Sequence, residues 1–188
     1  APADTKYVAL AGSTLGFIAN DGELMFSTFD GAAFSEAAPV PLSEAQRGRQ
    51  LKFAALSVLD GTGSGELGPQ VPDTILGFTP KTGTVLKYTV GQSEPEEIGA
   101  VSGAIAADEF QLADIGGRWA VLDVTSGQLW LEGQSNAGVS LRTQLGSAFA
   151  LQQSSAVKSE SVHVAGAQGM VTVSFGDSAV TRVAEATG

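Results

Sequence analysis

"GGRWAVLDVTSGQLWLEGQ" (residues 116–134) sets two apolar runs, Trp119 to Val124 and Gln128 to Leu131, on either side of Thr125-Ser126-Gly127. Alternating apolar residues broken by a glycine turn read as a strand, a tight turn and a second strand, because glycine supplies the positive φ the turn needs. Three other stretches share that layout. "LGFIANDGELMFSTF" (residues 15–29) centres on Gly22, "LGFTPKTGTVLKYTV" (76–90) on Gly83 and "VHVAGAQGMVTVSF" (162–175) on Gly169. The hairpin is one copy of a repeat.

Gly22 and Gly83 stand 61 residues apart, Gly83 and Gly127 44 apart, and Gly127 and Gly169 42 apart. The longer first interval is accounted for by "GTGSGELGPQVPDT" (61–74), which reads as an inserted loop. An apolar strand precedes each hairpin: "KYVALAG", "LKFAALSVL", "EFQLADI" and "AFALQQSSAV". A glycine turn and a weaker strand follow it: "DGAAFSEAAPV", "GQSEPEEIGAV", "EGQSNAGVSLRTQ" and "GDSAVTRVAEA". Four strands per unit at such a period predict an all-β, β-propeller-like domain of four blades, each of about four antiparallel strands. The approximate blades are 5–42, 50–102, 108–145 and 148–186.

A β-sandwich is the alternative, since it too turns every 8 to 12 residues or so. Two stretches, "SGAIAADEFQLAD" (102–114) and "SAFALQQSSAVKSES" (147–161), have the propensity for helix. "PLSEAQRG" (41–48) predicts one helical turn with Ser43 as its N-cap.

Composition agrees with a packed all-β chain. Its 188 residues suit one domain, with 43% hydrophobic and 16% charged residues and 24 glycines in no collagen period. The formal charge of −10, from 20 acidic and 10 basic residues, argues against nucleic-acid partners and anionic membrane surfaces. With no cysteine there is neither a disulfide nor a thiolate metal site. The start "APADTKY", lacking Met, is expected of a mature or trimmed product, and no apolar run reaches bilayer-spanning length, so no direct membrane insertion is expected.

Three resemblances add to this reading. "WAVLDVTSGQLW" resembles the repeat of quinoprotein-type propellers at Ala120, Leu122, Asp123, Gly127 and Trp130, with one residue fewer between Gly and Trp. It implies a scaffold in which Trp130 packs between blades, and no bound quinone. "LDGTGSGELGPQVPDTILGF" (59–78) resembles the calcium-binding repeats of integrin-type propellers, which implies Asp60, Thr62, Ser64 and Asp73 as metal ligands. It departs from them by offering two hydroxyls where carboxylates or amides belong, and by extra residues before Asp73; calcium wants six or more oxygens. As a whole, the acidic Gly/Ala/Ser/Thr-rich repeats are similar in style to propeller segments of large actinobacterial surface proteins with fibronectin type III modules. That similarity implies an extracellular or cell-surface setting, a binding or adhesion role, and a host extracellular protein among the partners.

Motifs for chemistry are sparse. The single histidine, His163, alternates with Val162 and Val164 on a strand and reads as a surface or polar-interior side chain. There is no GxSxG elbow, HExxH or CxxC. "GSGELG" (63–68) fits GxGxxG, but Pro69 and Pro72 forbid the helix that would hold a pyrophosphate. Asp114 and Asp123 would make an acid/base pair if a channel brought them to glycosidase separation. Glu94, Glu96 and Glu97 read as a solvated turn.

The candidate binding residues are Arg118 and Trp119, as an exposed contact pair, with Asp60 and Glu66 on the long loop; burial of Trp119 between blades is the plainer alternative. The expected function is a non-enzymatic scaffold without a cofactor, presenting loops to a protein or glycan partner. The alternatives are a carbohydrate-active enzyme using the carboxylate pair, and a structural spacer.

Overall fold

The structure is a computed structural model, and it describes residues 5–61, 71–102, 109–134 and 137–185. The first sheet holds β1 (Thr5–Ala11), β2 (Thr14–Ala19), β3 (Leu24–Thr28) and β4 (Ala38–Pro39). After α1 (Glu44–Gly48) come β5 (Ala55–Leu59), β6 (Thr74–Thr79), β7 (Thr84–Thr89) and β8 (Glu96–Ala100). The third sheet holds β9 (Phe110–Ile115), β10 (Arg118–Asp123), β11 (Gln128–Leu131) and β12 (Val139–Ser140). After α2 (Arg142–Leu145), the fourth holds β13 (Ala150–Leu151), β14 (Ser161–Gly166), β15 (Gly169–Ser174) and β16 (Val180–Glu185). Each sheet is an antiparallel meander in chain order, numbered here as blades 1 to 4. The four-blade propeller-like reading holds.

The sandwich reading fails because four separate sheets follow one another in a row, each buried on the faces its neighbours cover. Blades 1 and 2 are joined by Ile18, Leu24, Phe53, Val58, Ile75 and Tyr88. Blades 2 and 3 are joined by Leu76, Phe78, Phe110, Trp119, Val121 and Trp130. Blades 3 and 4 are joined by Ile115, Leu122, Leu129, Val162, Val164 and Val173. The strands leading each sheet pack side by side, β1 on β5, β5 on β9, and β9 on β13. Beyond β13 the chain stays on β9: Ser155 N–H donates to Asp114 C=O at 2.8 Å and Gly116 N–H to Ser155 C=O at 2.7 Å.

Two glycines show why the repeat keeps them. Gly127 turns β10 into β11 at φ +73°, and a Cβ there would sit 2.4 Å from the Phe149 ring. Gly99 on β8 lies flat under Trp119, whose ring would be 2.4 Å from an added Cβ. The first needs both the backbone freedom and the space; the second needs only the space.

The helix expectations divide. Ser43 caps α1 with a full capping box, its side chain accepting from Gln46 N–H while Gln46 reaches back to Ser43 N–H. Residues 110–114 of the first Ala-rich stretch belong to strand β9, because Phe110, Leu112, Ala113 and the following Ile115 are wanted on both faces of blade 3; residues 103–108 lie outside the described residues. In the second stretch Ala150–Leu151 pair with Ala165 and Val164, so no helix forms there. Instead a single turn, α2, replaces the end of the expected fourth strand of blade 3, tucking Leu141 and Leu145 into the third interface. Among the described residues no helix is long and apolar enough to cross a membrane.

Candidate functional site

The loops at the β1–β2 end of blades 1 and 2 converge on one carboxylate. Asp73, only 7% exposed, accepts from Ser13 N–H at 3.0 Å, Ser13 Oγ at 3.2 Å and Gly61 N–H at 3.0 Å. It ties the β1–β2 turn of blade 1 to the loop that leaves β5. Gly12 permits the approach: a Cβ there would lie 2.7 Å from the Asp73 carboxylate and 3.0 Å from that of Asp60.

Beside this anchor opens a cleft of about 650 Å³, with Asp30, Asp60 and Asp73 on its acidic side and Phe29, Val71 and Val90 among its apolar walls. Thr14, 1% exposed, lines it too, and its hydroxyl has no hydrogen-bond partner among the described residues. Phe29 and Phe34 bridge across the β3–β4 connection with ring centroids 5.3 Å apart, yet remain 42% and 47% exposed. Asp30 shapes that connection by accepting from Ala32 and Ala33 N–H at 2.8 and 2.9 Å. Those bonds, Ala33's first, hold its carboxyl below the usual aspartate range, so it keeps its charge into mild acid.

Two of the four residues of the calcium expectation, Thr62 and Ser64, fall beyond what the structure describes, as does Glu66. Asp60 and Asp73 do come together, but Asp73 spends both oxygens on protein donors. No group of three or more His, Cys, Asp or Glu able to hold a metal exists among the described residues.

Arg118 and Trp119 are not an exposed pair. As neighbours on β10 they point to opposite faces of blade 3. Trp119, 4% exposed, packs between blades 2 and 3 and donates its indole N–H to Ile98 C=O at 3.3 Å. Arg118 faces blade 4, its guanidinium 4.4 Å from the Phe175 ring centroid and 3.3 Å from Glu160, and it also donates to Ser159 C=O. Both are mortar between blades.

The two candidate acids also stay apart. Asp114, next to last on β9, lies opposite Trp119, whereas Asp123 ends β10 opposite Phe110. Four residues of strand separate those levels, about 13 Å, beyond the ~9.5 Å limit for paired glycosidase carboxylates. Asp123 caps its turn, accepting from Thr125 N–H, Ser126 N–H and Ser126 Oγ at 2.8, 3.0 and 2.7 Å. Asp114, 2% exposed, accepts from Gly117 N–H at 2.7 Å.

Burial pushes the Asp114 carboxyl above its usual value, helped by Glu132 and opposed by the Gly117 bond and Lys87. A raised folded-state pKa means the folded chain holds the proton more tightly. The cost of ionising Asp114 is therefore fully present above the folded pKa and vanishes as pH falls below the ordinary 3.8. Asn keeps the acceptor for Gly117 and removes the charge. Thermal melts are expected to show Asp114→Asn more stable than the parent at pH 7, with the gain shrinking toward zero near pH 3.8; a loss at pH 7 would refute this.

Sequence reading missed the aromatic pair. Its signal is present in "FDGAAF" (29–34), where two Phe flank an Asp-Gly turn and so become cross-strand neighbours.

No protein-family model matches this chain, and no curated protein matches it. Solved structures do. The computationally designed Ika8 protein superposes with a TM-score of 0.52 at 13% identity, over 95% of this chain and 48% of that one. YCF48, solved bound to D1 peptide, superposes with a TM-score of 0.47 at 14% identity, over 97% of this chain and 53% of that one. The chain thus spans about half the length of these structures. At such identities the likeness is one of fold.

Proposed function

We propose that the chain is a non-enzymatic recognition module that holds a basic, partly apolar segment of a protein partner in the cleft at the loop end of blades 1 and 2. The observation that carries this reading is the exposed Phe29–Phe34 pair beside the Asp30 and Asp60 carboxylates. Aromatic surface of low conformational freedom gives contact energy, and carboxylates on the rim select and orient cationic side chains. The net charge of −10 adds long-range attraction for a basic partner. Loops carried on rigid sheets are the usual division of labour in binding modules. The setting that goes with this role is extracytoplasmic, as an adhesion segment of a bacterial surface protein of the kind that carries fibronectin type III modules.

Panning a random peptide library on the 188-residue chain tests the reading. The expected winners pair Lys or Arg with an aromatic or aliphatic residue within a few positions. The Phe29→Ala/Phe34→Ala double variant should weaken a winner about tenfold or more, the scale of one lost hot spot. Asp30→Asn/Asp60→Asn should weaken it at low salt and flatten its salt dependence. No enrichment, or winners indifferent to both variants, would overturn the proposal.

A further inference from the structure

Each of the three blade junctions uses the same two faces. The second strands β2, β6, β10 and β14 are all six residues long, and their third and fifth residues face the following blade: Gly16 and Ile18, Leu76 and Phe78, Ala120 and Leu122. The equivalents in blade 4 are His163 and Ala165, and both are exposed. They share that open face with their cross-strand partners Thr172 and Met170.

At the other end of the row, blade 1 turns its preceding-blade face outward. Val8 and Leu10 stand 54% and 62% exposed, and their ladder partners Leu15 and, through Phe17, Met25 are half-buried, with Phe17 itself buried at 2%. No apolar cluster joins blade 4 to blade 1 among the described residues. The row is open at both ends, and its ends are the two halves of a junction the chain already makes three times.

We propose that a second copy of this chain closes the ring, blade 4 of each copy stacking on blade 1 of the other to give eight sheets around one two-fold axis. Two observations select this occupant. The open faces continue an established interface, since blades stack in one sense only and the two end faces complement each other. The chain also superposes over 95% of its length on 48% of a chain of the same fold, so two copies supply the sheets of one such chain. A two-fold pair satisfies both ends at once and leaves no face to propagate into a filament.

The existing junctions give the register. Leu10 pairs with Leu15 as Val58 pairs with Ile75, which makes Leu10 the counterpart of Val58. Val58 packs on Gly16, where an added Cβ would be 2.8 Å from Val58 Cγ2. Gly16 corresponds to His163, so the closing junction sets Leu10 of one copy against His163 of the other. The imidazole's apolar body suits that contact, with its nitrogens free to find water at the rim.

Light scattering and sedimentation from about 1 to about 100 μM, the range over which a specific pair of this kind assembles, are expected to give twice the 19.1 kDa chain mass, falling toward a single chain on dilution. Leu10→Glu and His163→Arg alter exposed positions and should leave the melting curve of the fold in place while each yields a single-chain mass. Mixing the two variants restores one unaltered junction and sets the introduced carboxylate against the introduced guanidinium in the other, so the double mass should return. A wild-type single chain at the top of that range overturns the proposal and assigns the open faces to sheets from another source. Leu10→Glu monomeric beside a His163→Arg that stays dimeric also overturns it, in favour of blade 1 pairing with blade 1. A mixture that remains at single-chain mass does the same.

Discussion

Replacing Phe78 with alanine is expected to cost about 3–5 kcal/mol of stability, the range for large aromatic side chains removed from a tight core. Phe78 is fully buried as the fifth residue of β6, facing blade 3. Its ring meets Phe110 edge-on at 5.1 Å, an arrangement worth about 0.5–1.5 kcal/mol beyond burial. The site cannot collapse to fill the gap, because β6 is held on both sides by β5 and β7 and its neighbours Val85 and Val121 are fully buried. A domain of this size has about 5–15 kcal/mol in total, so the variant should sit near its unfolding midpoint well before the parent in urea. Phe34→Ala, which truncates an exposed ring, is the matched control and should cost about 0.5 kcal/mol or less. Equal costs for the two would mean that the middle junction is not packed as described.

That contrast also marks what the sequence could reveal. Hairpin positions were legible because they depend on local chemistry: Gly22, Gly83 and Gly127 each sit at positive φ in the turn between the second and third strands of a blade. The four-strand unit followed, because alternation and spacing are properties of the chain alone. Burial of particular faces was not legible to the same degree. In stacked sheets both faces of a middle strand are covered, so Trp119 and Arg118 look alike as candidates for exposure until the neighbouring blade is in place. Alternation does forbid them from sharing one contact surface, and that part was available beforehand.

The fourth strands of blades 2 and 4 form over five and six residues, while those of blades 1 and 3 are shorter than expected. Ala38–Pro39 and Val139–Ser140 pair over two residues only, and in blade 3 the turn α2 takes up the residues that would have extended the strand. Loop chemistry was the least legible of all. The resemblance to calcium-binding repeats points to Asp60 and Asp73 through residues close along the chain, whereas one of the two partners that hold Asp73 is Ser13, 60 residues away.

Asp73→Ala is accordingly expected to lower stability by about 2–4 kcal/mol through hydrogen bonds and with no involvement of metal. Removing the carboxylate strands Ser13 N–H, Ser13 Oγ and Gly61 N–H in a part-buried pocket, and unsatisfied buried groups cost about 1–3 kcal/mol each before water reaches them. Asn should recover only part of the loss. Its single carbonyl oxygen can serve one side of the anchor, while its NH2 must face a backbone N–H on the other. The order of melting temperatures is therefore wild type, then Asp73→Asn, then Asp73→Ala. Chelator or millimolar calcium should move none of the three, because both Asp73 oxygens already accept from Ser13 and Gly61. A calcium-dependent rise in the wild type that disappears in Asp73→Asn would show the opposite, that the carboxylate is a ligand first and an acceptor second.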